Sequence, residues 1–375
     1  MTSRGKALVT GGAGLIGSHL TDLLIESGYD VVILDCLEPQ THPNGKPGWI
    51  HPDACFIQGD IRRDEDLKKA LDGVDVVFHQ AAFGGFIPGF SKYFDVNAIG
   101  TAKIFECIEA NHLPVRKVVV ASSQAIYAEG AYVNSKGQIF YPRVRGLDQL
   151  NQRQWELMDP EKKEFLRPTL TAEGKSRDGE TAYALSKEFE ERIALSYGKK
   201  LGIPTVALRY AVTYGPRQSV FNPYTGVVSI FSTRILNNLS PVLYEDGLQT
   251  RDFIFVKDVA RANLFVMERD DVRDCALNVG TGKPSRVSDL VVALNRVYRT
   301  SIEPEIRGEF RLGDVRHIVL HPGRLQNLGF EALTPIEEGL GFYKVWIETQ
   351  GKVKEYFSQA YETLRNSHFI FGGKK

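Results

Sequence analysis

The sequence predicts an α/β fold: a doubly wound parallel sheet followed by a smaller, partly interleaved α/β part. Three observations lead there. Short runs rich in Val, Ile and Leu alternate with helix-spaced segments through the first third of the chain. A glycine-rich turn joins the first of these runs to the first helix. An aspartate then ends the second run, about twenty residues after the glycines.

The elements follow in order. Lys6–Thr10 (KALVT) is apolar and strand-sized, and Ser18–Ser27 has helical spacing with Gly28 where the helix would end. Val31–Asp35 reads as a second strand and Cys55–Gln58 as a third, followed by Gly59-Asp60. Asp66–Asp72 reads as a helix closed by Gly73, Val74–His79 as a fourth strand, Ser91–Asn111 as one long helix and Lys117–Ser122 as a fifth strand. Strands with no polar face imply a parallel sheet covered on both sides. From about Glu129 to Glu180 the periodicity dissolves into charge, Gly, Pro and Gln, with a short helix-like piece around Gln149–Met158, which predicts a surface insertion. Tyr183–Leu201 is again a helix and Thr205–Tyr210 a strand. Residues 1–210 therefore form one expected domain, with the insertion at about 129–180, and 211–375 the second. The chain has no internal repeat and no low-complexity tract.

Bulk properties narrow the function. Lys plus Arg equals Asp plus Glu at 46 each, and no long basic run appears, so the electrostatic footprint of a nucleic-acid binder is missing. The first residues do not form a signal peptide, and the longest apolar stretches are strand-sized and broken by charge. A cytoplasmic protein without a membrane anchor is expected. Cys36, Cys55, Cys107 and Cys275 are scattered, without metal-ligand spacing, and read as reduced packing residues; no metal is expected.

The run Thr10-Gly11-Gly12-Ala13-Gly14-Leu15-Ile16-Gly17 sits between a strand and a helix. A turn free of side chains lets backbone N–H groups approach a pyrophosphate, which the helix N-terminus then faces. Gly17 lets helix and strand pack closely, and Asp35 stands where a carboxylate grips the adenosine ribose hydroxyls. That carboxylate repels a 2′-phosphate, and no Arg follows it directly, which favours NAD over NADP. Asp60 suits the adenine amino group or closes a plain strand-end turn.

Tyr183 and Lys187 (YALSK) lie four apart on a helix and share a face. A nearby ammonium stabilises a phenolate, so Tyr183 can take the proton of a sugar hydroxyl while hydride leaves the same carbon; Lys187 can also hold the nicotinamide ribose. Tyr132 and Lys136 repeat the spacing in the Gly/Asn-rich insertion, poor helix material, and read as coincidence. Ser122-Ser123 end the fifth strand on the ligand edge of the sheet, and Ser123 can share the hydrogen bond to the reacting oxygen.

The chain resembles the extended short-chain dehydrogenase/reductase group of nucleotide-sugar epimerases and dehydratases. The resemblance runs from Ala7 to about Gly341. It rests on TGGAGLIG at Thr10, GDI at Gly59, HQAA at His79, VNAIGT at Val96, ASSQAIY at Ala121, YALSK at Tyr183, LRYAVTYGPRQ at Leu208, RDFIFVKDVA at Arg251, LNVGTG at Leu277 and RLGDVRH at Arg311. It implies a Rossmann-type NAD domain and a C-terminal substrate domain. The catalytic set is then Ser123, Tyr183 and Lys187. The cofactor set is Gly11, Gly14, Leu15, Ile16, Gly17, Asp35, Asp60, Ile61, Ala81, Ala82, Asn97 and Ser122, with Tyr183 and Lys187. Asn222, in the run NPYTGV, and Arg251, Arg311 and Asp314 hold the nucleoside-diphosphate sugar; arginine forks suit phosphate oxygens. A homodimer through the helices beginning at Ser91 and Tyr183 is implied as well.

Departures from the family pattern bear on the reaction. Dehydratases of the group carry Asp-Glu after the catalytic hydroxyl residue; here those positions are Gln124 and Ala125, and the glutamate of the decarboxylases is missing too. Val212 stands where an Asn is usual and Ala211 where an aromatic is usual, and about sixty residues separate Ser123 from Tyr183. The whole pattern is most similar to 4-epimerases of the dTDP-L-rhamnose or UDP-hexose type, with oxidation and re-reduction at sugar C4. The alternatives are a dehydrogenase or 4-keto-sugar reductase with net redox, a dehydratase or decarboxylase, and an NAD sensor that has lost catalysis. The intact trio Ser123, Tyr183 and Lys187 argues against a sensor.

Overall fold

Lys6–Thr10 (β1) is buried after its first residue, and its side chains alternate between two packed layers. Ala7 and Val9 join Leu20, Leu24, Ile33 and Phe78 on one face; Leu8 joins Val32, Leu67, Val77 and Ile104 on the other. Both faces exclude water, which is why the strands read as continuous apolar runs. The computed structural model describes residues 4–85, 89–222, 224 and 226–372, so Pro223 and Thr225 of the NPYTGV run lie outside the described residues.

The central sheet has seven strands, all parallel. On one side of β1 lie Asp30–Asp35 (β2) and then Cys55–Gln58 (β3). On the other lie Val76–His79 (β4), Lys117–Ser123 (β5), Thr205–Tyr210 and, at the edge, Cys275–Val279. The chain thus leaves β1 in one direction and returns at β4 in the other. The C-terminal ends of β1 and β4, where Thr10 pairs with His79, mark the point at which such sheets open a crevice for ligands. The edge strand Cys275–Val279 comes from beyond residue 210, so the C-terminal part is woven into the sheet.

A second core lies in the C-terminal part, where Tyr214, Phe253, Phe255, Leu290, Leu294, Leu340 and Tyr343 pack together beside the sheet formed by Val212–Tyr214, Thr250–Phe255 and Pro284–Arg286. The insertion is ordered: Ala131–Val133 pairs antiparallel with Ile139–Phe140 and Arg167–Thr169 over a small core of Tyr132, Leu157 and Leu166. Its helix is Leu147–Asn151, shorter and earlier than the spacing predicts; beyond it the chain runs extended and Met158 bridges Phe165. Tyr132 lies on a strand and bonds Glu129 (2.7 Å), as befits a chance copy of the Tyr/Lys spacing.

The long helix expected over Ser91–Asn111 is three pieces: an α turn at Phe90–Tyr93, a π segment at Phe94–Ile99 and an α-helix at Gly100–Ala110. The widened turn carries Asn97, which is fully buried. Its side chain accepts from the Phe83 N–H (2.7 Å) and donates to the Phe83 carbonyl (3.0 Å) and to Ser186 Oγ (2.9 Å). One amide thus ties the loop after β4 to the helix Ala182–Leu201, and these contacts offset the irregular turn. Asn97→Ala leaves the Phe83 N–H and C=O unpaired in the interior. It is expected to lower the folding free energy by about 2–4 kcal/mol in urea titration; a loss under about 0.5 kcal/mol would contradict this role.

Candidate active site

The cofactor end is built from backbone. Gly11 has φ +69°, and a Cβ there would lie 2.7 Å from Ala81 Cα; at Gly17 it would lie 2.3 Å from the Gly11 carbonyl oxygen. Only glycine permits both approaches. Gly14 caps the helix Leu15–Glu26 (α1) without a side-chain bond, so the first-turn N–H groups at Leu15 and Ile16 meet no capping side chain and can face an anion. Asp35 is nearly buried at the end of β2 and faces this turn: its carboxylate accepts from Ala13 N (2.9 Å) and Leu37 N (2.8 Å). Trp49, which no sequence signal marked, donates to the Ala13 carbonyl (3.0 Å) from the loop after β2.

Beneath the crevice, His79 is buried between Thr10 Oγ1 (2.7 Å) and Thr101 Oγ1 (2.9 Å), and burial drops its pKa to about 3. It is a neutral post, and Thr10 passes the support on to the Ala81 N–H (3.2 Å), with Ala82 exposed beside it. Asp60 is committed elsewhere. Arg62 chelates its carboxylate (2.9 and 2.5 Å) and reaches Asp95 (2.5 Å), and these bonds hold the Asp60 carboxyl below its ordinary range. Ile61 packs in the core, its Cδ1 against Gly100.

The chemical end hangs from the helix Ala182–Leu201. Thr181 caps it by accepting from Ala184 N (3.2 Å), which sets Tyr183 in the first turn. The Tyr183 ring meets Tyr93 edge-on (6.5 Å between centroids) and runs close over Gly84. Lys187 is buried, donates to the Ala121 carbonyl of β5 and lies 2.6 Å from Glu190 Oε2. Ser123 ends β5, and its hydroxyl accepts from Ala125 N (3.1 Å). Ser122 projects to the opposite face, where its hydroxyl is spent on Glu191 (2.7 Å), and Asn97 is likewise fully occupied. Glu191 in turn takes Arg209 in a two-point contact (2.9 and 2.6 Å), and Arg209 bonds the Tyr127 hydroxyl (2.6 Å).

A second cluster, of arginines about a carboxylate, lies in the C-terminal part. Asp314 is held between Arg251 (3.1 Å) and Arg311 (2.6 Å), and Arg311 lies over the Tyr244 ring at 4.7 Å. The two guanidiniums keep the Asp314 carboxyl below its ordinary range against the pull of burial. Asp314 thus holds two guanidiniums side by side, and guanidinium forks match phosphate oxygens. Asn222 is buried, accepting from Tyr224 N (3.1 Å) and Gln40 (3.4 Å), and neither bond joins it to the arginine cluster. Nor do the described residues contain a group of three His, Cys, Asp or Glu able to hold a metal, or a helix long and apolar enough to cross a membrane.

The insertion is clamped to this cluster. Arg145, fully buried, forks onto Glu245 (2.8 Å twice) and donates to the Asp314 carbonyl (3.2 Å). Arg316, also buried, bonds Glu245 (3.0 Å), Asp246 (2.6 Å) and Glu156 (2.5 Å). Glu129 accepts from the Arg316 and His317 N–H groups (2.8 and 2.7 Å). Sequence spacing gives no sign of pairs a hundred residues apart.

Comparison with known proteins is consistent with this arrangement. The NAD dependent epimerase/dehydratase family matches residues 7–143 and 162–280, leaving part of the insertion unmatched. A dTDP-L-rhamnose 4-epimerase of Burkholderia thailandensis is 31% identical over 91% of this chain and 94% of its own. The UDP-glucose 4-epimerase of Thermotoga maritima, solved with UDP-glucose, superposes with a TM-score of 0.76 at 28% identity, covering 92% of this chain and 99% of that one. The Thermus thermophilus UDP-glucose 4-epimerase, solved with NAD, gives 0.70 at 28% identity over 92% and 99%.

The clamp predicts acid sensitivity. Bonds from His317 and Arg316 pull the Glu156 pKa down from 4.5 to about 2, although burial opposes them. Because the folded value lies below the unfolded one, this stabilisation is full above 4.5 and is lost as pH falls toward 2. Trp155 beside it packs on Phe310 and reports the change. In that window tryptophan fluorescence should change before far-ultraviolet circular dichroism does; one coincident transition would contradict a separately released insertion.

Proposed function

This chain belongs to the NAD dependent epimerase/dehydratase family and is an NAD-dependent nucleotide-sugar epimerase, and within that activity we propose that it inverts C4 of the sugar, with Tyr183, Lys187 and Ser123 as its reacting groups. The observation that carries this reading is that the glycine turn and Ser123 sit at the C-terminal ends of β1 and β5 in one parallel sheet, and that the helix bearing Tyr183 and Lys187 is tied to β5 by the Lys187 bond to the Ala121 carbonyl.

The glycine turn fits the cofactor because a Cβ at Gly11 or Gly17 would fill the backbone cradle, and Asp35 borders that cradle through Ala13. NAD, when bound there, would supply the reversible hydride acceptor that inversion at C4 requires. Tyr183 removes the C4 hydroxyl proton and later gives it back; Lys187 favours the phenolate by its charge; Ser123 donates to the reacting oxygen. Arg251 and Arg311 grip the diphosphate, so the sugar can turn over while its anchor stays fixed. Gln124 and Ala125 offer neither acid nor base, which disfavours elimination at C5 and C6.

A homodimer is part of the proposal. Ile99, Phe189 and Tyr197 are 50%, 47% and 40% exposed on two adjoining helices, and Phe94 meets Phe189 edge-on there. An apolar face on the neighbouring helices suits a second copy of itself. Sedimentation should give a dimer, and Phe189→Lys should give monomers; a monomeric parent protein would refute the pairing.

Proton NMR with UDP-, dTDP-, CDP- and GDP-hexoses and no added cofactor tests the reaction. One substrate should convert to its C4 epimer without net NADH, and Tyr183→Phe should slow this by about 10²–10⁴-fold while still retaining NAD. Turnover only with stoichiometric NAD(P)(H) would replace the epimerase with a net redox enzyme. Function retained in Tyr183→Phe would point to a sensor.

A further inference from the structure

Lys187 shares its pocket with a second ionisable group. Glu190, in the next turn of the same helix, places Oε2 2.6 Å from the ammonium, and the two side chains are 0% and 2% exposed. Neither Glu190 oxygen has a donor in good hydrogen-bonding geometry, a rare state for a buried carboxylate. Its neighbour Glu191 is taken up by Arg209 and Ser122. From the sheet, Tyr210 and His79 face the pair. Tyr210 donates to Gln80 (3.0 Å) and Asn263 (2.9 Å), and burial raises its phenol pKa; His79 is locked between two threonines. Both are uncharged, so the local charge is decided by Lys187 and Glu190.

We propose that Glu190 is a positioning residue for Lys187, and that its protonation sets how much of the lysine's charge acts on the Tyr183 hydroxyl. This rests on reading Tyr183 and Lys187 as the reacting pair. With Glu190 ionised the pair is neutral, and Tyr183, one turn back on the same face, meets a dipole in place of a charge. With Glu190 protonated it meets a full positive charge. Burial, with a smaller push from Glu191, raises the Glu190 carboxyl to about 7 while Lys187 opposes the rise, so the two forms exchange near neutrality. Above that pH the ionised carboxylate offsets the lysine's charge and works against a phenolate at Tyr183. Ser123 and the β5 end, where Lys187 bonds the Ala121 carbonyl, are untouched by the exchange.

The test uses NAD-loaded protein. Ultraviolet difference titration against Tyr183→Phe isolates the Tyr183 phenolate and needs no substrate. In Glu190→Gln its midpoint should fall by about one pH unit, and the acid limb of the kcat profile should move with it while KM changes little. Glu190→Asp, which keeps the charge, should stay near the parent midpoint. An unchanged midpoint in Glu190→Gln, with only Tm lowered, would reduce Glu190 to a packing role and overturn the proposal. Should Glu190→Gln not fold, carbon-13 NMR of the glutamate-labelled parent protein decides: a buried carboxyl titrating around neutrality upholds the proposal, and none doing so overturns it. A shifted midpoint with no turnover of any nucleotide-sugar would refute the epimerase reading and leave this inference standing.

Discussion

The buried pair between Glu191 and Arg209 is the joint on which the chemical end depends. Glu191 projects from the helix that carries Tyr183 and Lys187; Arg209 projects from the strand beside β5; the carboxylate also accepts from Ser122 on β5 itself. Arg209 continues to the Tyr127 hydroxyl and the Glu173 carbonyl, and Tyr127 to Asn278 on the edge strand. Helix, two inner strands, edge strand and the end of the insertion therefore meet in one polar network. A buried ion pair of this kind adds little net stability over an apolar substitute, but losing one partner strands a charge in the interior. Its value lies in geometry: the helix cannot rotate or slide on the sheet without breaking several bonds at once, and the first-turn tyrosine inherits that rigidity.

The same logic accounts for the insertion. Its own core is three side chains, too small to hold fifty residues in place. What orders it is the ionic lattice of Arg145, Glu156, Glu245, Asp246 and Arg316, together with Glu129 gripping two successive backbone N–H groups. That lattice closes on the segment carrying Arg311 and Asp314. The insertion is thus fastened to the segment carrying Arg311 and Asp314, and it reaches the turn after β5 through Lys175, which donates to the Tyr127 carbonyl (2.8 Å).

What could be read from the sequence follows the range of the interactions involved. Lys6–Thr10, Cys55–Gln58 and Thr205–Tyr210 emerge with the bounds that the sequence pattern predicts; the first and last are buried on both faces, and the edge strand Cys55–Gln58 keeps a single buried residue, Ile57. The glycine turn was legible for the same reason: backbone contacts a few residues apart dictate Gly11 and Gly17. The π segment was not, since it answers to Asn97 reaching Phe83 and Ser186, partners far along the chain. Nor were the occupations of Ser122 and Asp60, whose hydroxyl and carboxylate are consumed by Glu191 and Arg62. A motif marks a position; only the packed structure shows which of its polar atoms remain free for a ligand. The doublet Glu190-Glu191 after Lys187 was visible throughout, but the opposite fates of its two carboxylates depend on which side of the helix meets Arg209.

The arginine cluster around Asp314 is satisfied from within the fold in the same way. Two guanidiniums held together at low exposure would repel one another, and an interior carboxylate alone would be costly. Asp314 between Arg251 and Arg311 resolves both, and Arg251 adds bonds to the Thr250, Val315 and Arg316 carbonyls. On the proposed reading, a diphosphate entering such a cluster would not have to order it; it would only share donors with a carboxylate that is already there. Binding would then spend little on conformational entropy, and in the proposed C4 inversion the anchor would stay rigid while the sugar beyond it turned. That proposal asks for rigidity at the anchor and mobility at the ring, and a self-satisfied ionic cluster meets the first demand without constraining the second.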